Sequence, residues 1–195
     1  NMNCYASPGR RFHFIEIDAL IVQIAREQFT FLKDCGEPRL TVADGRLALA
    51  ASTETYDMIV LDAFSSDFIP AHLLTTEALQ LYLSRLNRGG VIMLHISNRY
   101  FDLRGMLAES AAALGLWSLS NTLTPLEGDA EVNSPSAWFA IAREKIDLAP
   151  YVGVLEWGWA SRAPHIRPWT EGLDWVVLLA VAWLMGLGLL CMYSA

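Results

Sequence analysis

Hydrophobic and polar positions alternate from Phe12 to Asp18, and the run closes on Glu16 and Asp18, the pattern of a β-strand ending in carboxylates. Ala19 to Phe29 then carries Leu20, Ile21, Ile24 and Ala25 at helical spacing, with Asp18 placed to cap the helix. Arg39 to Ala43 predicts a short strand that closes on Asp44-Gly45, and Arg46 to Ala51 a helix. Tyr56 to Leu61 is a continuous apolar run into Asp62, as expected of a strand buried on both faces of a parallel sheet. A helix over Thr75–Leu86, a turn at Asn87-Arg-Gly-Gly90 and a buried strand over Val91–Ile96 follow. Next come a helix over Asp102–Leu114, ended by Gly115, and a closing strand pair, Trp117–Thr122 with Ala137–Ala142. Strands alternating with helices at this spacing predict a doubly wound α/β sheet.

In such sheets ligands bind beyond the carboxyl ends of the strands, so Glu16, Asp44, Asp62 and Ser97-Asn98 should converge on one crevice. A carboxylate there can accept hydrogen bonds from ribose hydroxyls or an adenine amino group, and Gly45 would let a base approach the backbone. Each acid has a plainer reading as well. Asp18 and Asp44 suit helix caps, Asp67 a turn, and Asp62 an ion pair with Arg99 or Arg104. The segment Asp62-Ala-Phe-Ser-Ser-Asp67 is the more specific signal, because a buried strand that ends in a carboxylate needs a partner for it. A cationic amine would be such a partner, and the two acids could take the proton it loses on becoming a nucleophile. His72 and His95 lie near the expected crevice, but a lone histidine is more often structural.

Composition changes the picture at one end of the chain. The 195 residues are 53% hydrophobic and 18% charged, with a mean hydropathy of +0.30. The excess lies in Trp175–Tyr193, an uncharged run long enough at 1.5 Å per residue to cross about 28 Å of hydrocarbon. We expect a transmembrane helix over 173–193, a linker over 146–172 and an α/β domain over 1–145. Trp157, Trp159, Trp169 and Trp175 suit an interfacial belt, and Arg162 and Arg167 place the α/β domain on the cytoplasmic side. The net charge of −7, from 14 basic and 21 acidic residues without a basic run, excludes a nucleic-acid backbone as partner and favours a cationic small molecule. Cys4, Cys35 and Cys191 are odd in number and lack metal-binding spacing, so neither a disulfide framework nor a metal site is expected, and a reducing compartment is the simplest assumption. Residues 1–11 carry no apolar core of a signal peptide.

The segments Phe14-Ile-Glu16-Ile-Asp18, Asp44-Gly45-Arg46, Tyr56 to Thr75 around Asp62-Ala-Phe-Ser-Ser-Asp67, and Asn87-Arg-Gly-Gly-Val91 together resemble spermidine synthases. They are most similar to the bacterial membrane-associated branch of that family, over roughly residues 4–145. The resemblance implies a Rossmann-like, methyltransferase-type fold and decarboxylated S-adenosylmethionine, or S-adenosylmethionine, as a co-substrate that is not tightly bound. It implies that Glu16, Asp18, Asp44 and Gly45 bind the nucleotide, Glu16 at the ribose and Asp44 at the adenine, that Asp62 is the general base at the attacking amine, and that Asp67 helps hold the polyamine acceptor. A homodimer is among the assemblies it allows. The family's first strand and glycine-rich loop would precede residue 1, which predicts a sheet with a gap and an incomplete domain. The spacing from Asp62 to Asp67 exceeds that of the soluble enzymes. Two other readings follow from the same residues: an S-adenosylmethionine-dependent methyltransferase and a non-catalytic, membrane-anchored module.

Overall fold

The computed structural model describes residues 4, 9–35, 38–62, 70–97, 101–123, 136–152 and 157–160. Asp67, Asn98 and Arg99, the run Trp175–Tyr193 and, of the tryptophan belt, Trp169 and Trp175 lie outside them. Among the described residues no helix is long and apolar enough to cross a membrane.

Among the described residues seven strands form two ladders. β1 (His13–Glu16) and β2 (Arg39–Val42) pair in parallel, with Phe14 opposite Leu40 and Glu16 opposite Val42. β3 (Tyr56–Leu61), β4 (Leu86–His95), β5 (Trp117–Leu123), β6 (Ser136–Ala142) and β7 (Gly158–Trp159) form a second sheet in the order β3-β4-β6-β5-β7. β3 and β4 are parallel, whereas β6 runs antiparallel to both β4 and β5, and β7 antiparallel to β5. The sheet is therefore mixed, because β6, seated between β4 and β5, runs against both. Among the described residues β1 pairs only with β2, and β3 only with β4, so no strand pairing joins the two ladders.

The apolar runs explain the centre. Ile92, Leu94, Phe139 and Ile141 are fully buried where β4 lies against β6, and Leu79, Tyr82 and Leu107 cover them from α4 (Thr76–Ser84) and α5 (Arg104–Ala113). Burying one such side chain contributes roughly 1.5–3 kcal/mol. Both helices begin close to the sequence expectation. Thr75 caps α4 by accepting from the Ala78 backbone N–H.

The stretch Asn87–Gly90 is not a free-standing turn. It is counted within β4, although the register jumps from Tyr56 opposite Leu86 to Met58 opposite Val91, so the four residues make an excursion from the ladder. Gly89 sits at φ +77°, and a Cβ on Gly90 would meet the Asp57 carbonyl oxygen at 2.9 Å and Leu86 Cγ at 2.7 Å. Asn87 Nδ2 donates to Asp57 Oδ1 at 2.8 Å. The Arg143 guanidinium, at the end of β6, donates to the carbonyls of Leu83, Leu86 and Asn87 and so satisfies the end of α4.

His13 ties the two ladders together. Its Nε2 lies 2.8 Å from Thr41 Oγ1 in β2 and its Nδ1 2.9 Å from the Tyr56 hydroxyl, joining the first residues of β1 and β3. Burial, and then the Arg39 charge, hold its imidazolium form below the ordinary value of 6.5.

Two further elements were not foreseen. Cys4 and Cys35 form a disulfide across 31 residues, with Cα atoms 4.5 Å apart, which corrects the expectation that the cysteines stay unpaired. Pairing needs proximity in space, and the chain just after α2 (Phe31–Asp34) returns to the N-terminal segment. Closing such a loop contributes about 3–4 kcal/mol in the chain-entropy picture. Within the stretch expected to be a linker, Lys145–Tyr151 form a 3₁₀-helix whose Leu148 is buried against Val91, Leu119 and Ala140, and β7 extends the sheet.

Two outcomes follow. Gly90→Ala should destabilise the protein by about 1–3 kcal/mol, because the methyl overlaps backbone that cannot yield, read as a lowered urea midpoint. Because His13 binds its proton more weakly when folded, stability should fall as pH drops from about 7.5 to about 5, and the fall should be shallower in His13→Gln.

Candidate functional site

Strand direction brings the acids to one side. His13 and Tyr56 meet at the starts of β1 and β3, while beyond the other ends Asp44, after β2, meets His72, after β3. Glu16 closes β1, Asp44 follows β2 and Asp62 follows β3, all on the carboxyl side, as the sequence pattern predicts.

Each carboxylate already has local work. Glu16 Oε1 accepts from the Asp18 backbone N–H at 3.0 Å. Asp18 caps α1 (Ala19–Gln28), its Oδ1 accepting from Leu20 N–H at 2.8 Å. Asp44 caps α3 (Gly45–Ala51) by accepting from Leu47 N–H at 2.9 Å, and its other oxygen lies 3.2 Å from His72 Nε2. The Leu47 N–H chiefly, with His72 adding to it, holds the Asp44 carboxyl below the usual carboxylate range. Arg46 donates to the His72 carbonyl at 2.7 Å, pinning the chain after β3 to the start of α3. Among the described residues a Cβ at Gly45 would meet nothing within 4 Å.

Asp62 is held differently. In the register of β3 with β4, Leu61 lies opposite Leu94, so Asp62 falls beside His95, and in the register of β4 with β6, His95 lies opposite Trp138. His95 Nδ1 is accordingly 2.6 Å from Asp62 Oδ1, and the imidazole stacks on the Trp138 ring at a centroid distance of 4.7 Å. His95 Nε2 is 2.7 Å from Ser97 Oγ, which accepts the Ala137 backbone N–H at 2.7 Å. The Asp62 side chain is 61% exposed and that of His95 24%. Arg104, one partner considered for Asp62, instead forks onto Asp102 at 2.7 and 2.8 Å.

The structure thus groups Glu16, Asp18, Asp44, Gly45 and Asp62 on the carboxyl side of the strands, and Asp67 lies outside the described residues. His72 and His95 were discounted in the sequence, yet each touches one of these acids. His95 closes β4, the strand paired with the one that leads into Asp62, whereas His72 reaches Asp44 from the 3₁₀ turn Ala71–Leu73 after β3. An open apolar groove of about 580 Å³ lies elsewhere, beside β7, lined by Lys145, Ile146, Ala149, Val152 and Trp159. Among the described residues its lining holds no acid.

No family profile matches the chain. The chain is 30% identical over 169 residues to the "Probable polyamine aminopropyl transferase" of Bifidobacterium longum, covering 83% of this chain and 35% of that protein. It is 32% identical over 89 residues to the polyamine aminopropyltransferase of Vibrio vulnificus, covering 44% of this chain and 29% of that one. The chain thus spans about a third of the length of these curated relatives. Among solved structures, the spermidine synthase of Thermotoga maritima superposes with a TM-score of 0.53 at 16% identity, over 72% of this chain and 49% of the other. A spermidine synthase from Corynebacterium glutamicum, described as probable, gives 0.50 at 18% identity, over 69% and 48%. These structures show that the chain has a methyltransferase-like α/β fold, shared with spermidine synthases, and in sequence it is similar to polyamine aminopropyltransferases.

Proposed function

We propose that the protein transfers an aminopropyl group from decarboxylated S-adenosylmethionine to a polyamine acceptor, with Asp62 as the general base. The observation that carries this reading is the exposed Asp62 carboxylate, fixed at the end of β3 in a chain similar over 169 residues to a protein named as a polyamine aminopropyl transferase.

In the reaction an acceptor ammonium first loses a proton to Asp62, whose carboxylate sits on the open side of the sheet. The freed nitrogen lone pair attacks the methylene carbon beside the donor's sulfonium. The carbon–sulfur bond breaks, its electron pair stays on sulfur, and methylthioadenosine leaves as a neutral thioether while the new amine carries the positive charge. The proteins's own share is positioning and charge. Glu16, with Asp18 beside it, would take the ribose hydroxyls, Asp44 the adenine amino group over the open face of Gly45, and Asp67 a second nitrogen of the polyamine. Carboxylates suit this chemistry because both reactants are cationic. Asp44 can cap α3 and still bind a base, since a carboxylate offers about four acceptor positions. The uncharged run Trp175–Tyr193 would anchor the domain to a membrane.

In an assay of methylthioadenosine release from decarboxylated S-adenosylmethionine and a diamine, Asp62→Asn should lower turnover by about 10²–10⁴-fold while methylthioadenosine still binds. Undiminished turnover in that variant would remove Asp62 from the role of base. Methyl transfer from intact S-adenosylmethionine, without aminopropyl transfer, would make the protein a methyltransferase instead.

A further inference from the structure

The structure assigns His95 as the positioning residue for Asp62, oriented in turn by Ser97 and Trp138; this rests on the reading of Asp62 as the base. The Ala137 backbone N–H can only donate, and it donates to Ser97 Oγ at 2.7 Å. Asp62 Oδ1 can only accept, so His95 Nδ1 carries the ring proton, and in the neutral ring Nε2 is unprotonated and accepts the Ser97 hydroxyl proton from 2.7 Å. The imidazole proton is therefore on Nδ1 and is donated to Asp62 Oδ1 at 2.6 Å. The ring cannot readily rotate away, because its face stacks on Trp138 at 4.7 Å with 23° between the planes.

The connectivity of hydroxyl, imidazole and carboxylate is that of a hydrolase triad, but here the exposed end is reversed. The Asp62 side chain is 61% exposed, and Ser97 Oγ is already occupied by a backbone donor. The reacting end is the carboxylate. With Oδ1 held by His95, Oδ2 is the oxygen left to meet an acceptor nitrogen, so the carboxylate need not be ordered when substrate arrives.

Nitrogen NMR of the ¹⁵N-labelled chain reads the tautomer directly, without activity. Neutral His95 should show a protonated Nδ1 and an unprotonated Nε2, and the opposite tautomer would overturn the assignment. Kinetics give the second readout. His95→Asn keeps a donor near Nδ1 and should retain kcat within about three-fold, whereas His95→Gln and His95→Ala should lose roughly 10- to 100-fold in kcat with KM for the amine changed by less than about three-fold. Equal loss in Asn and Gln variants, or a loss confined to KM, would contradict the role. Should His95→Ala fail to fold, the Asn and Gln pair and the wild-type spectrum still decide. If Asp62→Asn itself retained turnover, the base reading would fail, while the tautomer would still report whether His95 orients that carboxylate.

Discussion

The parallel pairing of β3 with β4, in the single register that sets Leu61 opposite Leu94, is the constraint on which the site depends. It seats Asp62 beside His95. The antiparallel register of β4 with β6 then seats His95 on Trp138 and draws Ser97 to the Ala137 N–H. A slip of one residue would turn every side chain of a strand to the opposite face, exposing Leu94 and dispersing the hydrogen-bonded chain. Burial of Ile92, Leu94, Phe139 and Ile141 makes such a slip costly, so the core sets the geometry of the polar edge.

The broken ladder between β1 and β3 gives the carboxyl edge two parts. One carries Glu16, Asp18 and Asp44, the other Asp62 and His95, and they are joined at the opposite edge through His13 and Tyr56. Nearby, Leu20, Ile21 and Met58 are 58%, 50% and 42% exposed, so less apolar surface is covered here than at the centre of the second sheet. The acids of the first part are engaged as helix caps or on a backbone N–H, each contact contributing on the order of 1 kcal/mol, and this does not compete with ligand binding so long as the remaining lone pairs face the crevice.

The sequence made the strand and helix pattern legible because burial leaves a local trace. Tyr56–Leu61 and Val91–Ile96 read as buried strands from apolar content alone, and the acids that close β1 and β3 stood out against it. The Gly-Gly pair after Asn87 signalled a turn correctly as conformation, since Gly89 has a positive φ, but not that the excursion rejoins the ladder. Contacts that depend on register were not legible. His95 acquires its role only from the alignment of β3 with β4, 33 residues apart, and the Cys4–Cys35 bond only from the path of the chain between them. The antiparallel edge was half visible: the pair β5 and β6 was expected, but its direction relative to β4 is set by tertiary packing.

The central claim is that the carboxyl edge of β1 to β3 is a nucleoside site, and calorimetric titration of the 195-residue chain with methylthioadenosine tests it most directly. The account predicts saturable binding at one site, a gain of about 2.7 kcal/mol in stability at a hundred times the dissociation constant, and loss of both in Glu16→Ala. A folded protein that gives no binding heat and no stabilisation, or whose binding is indifferent to Glu16→Ala, would contradict it.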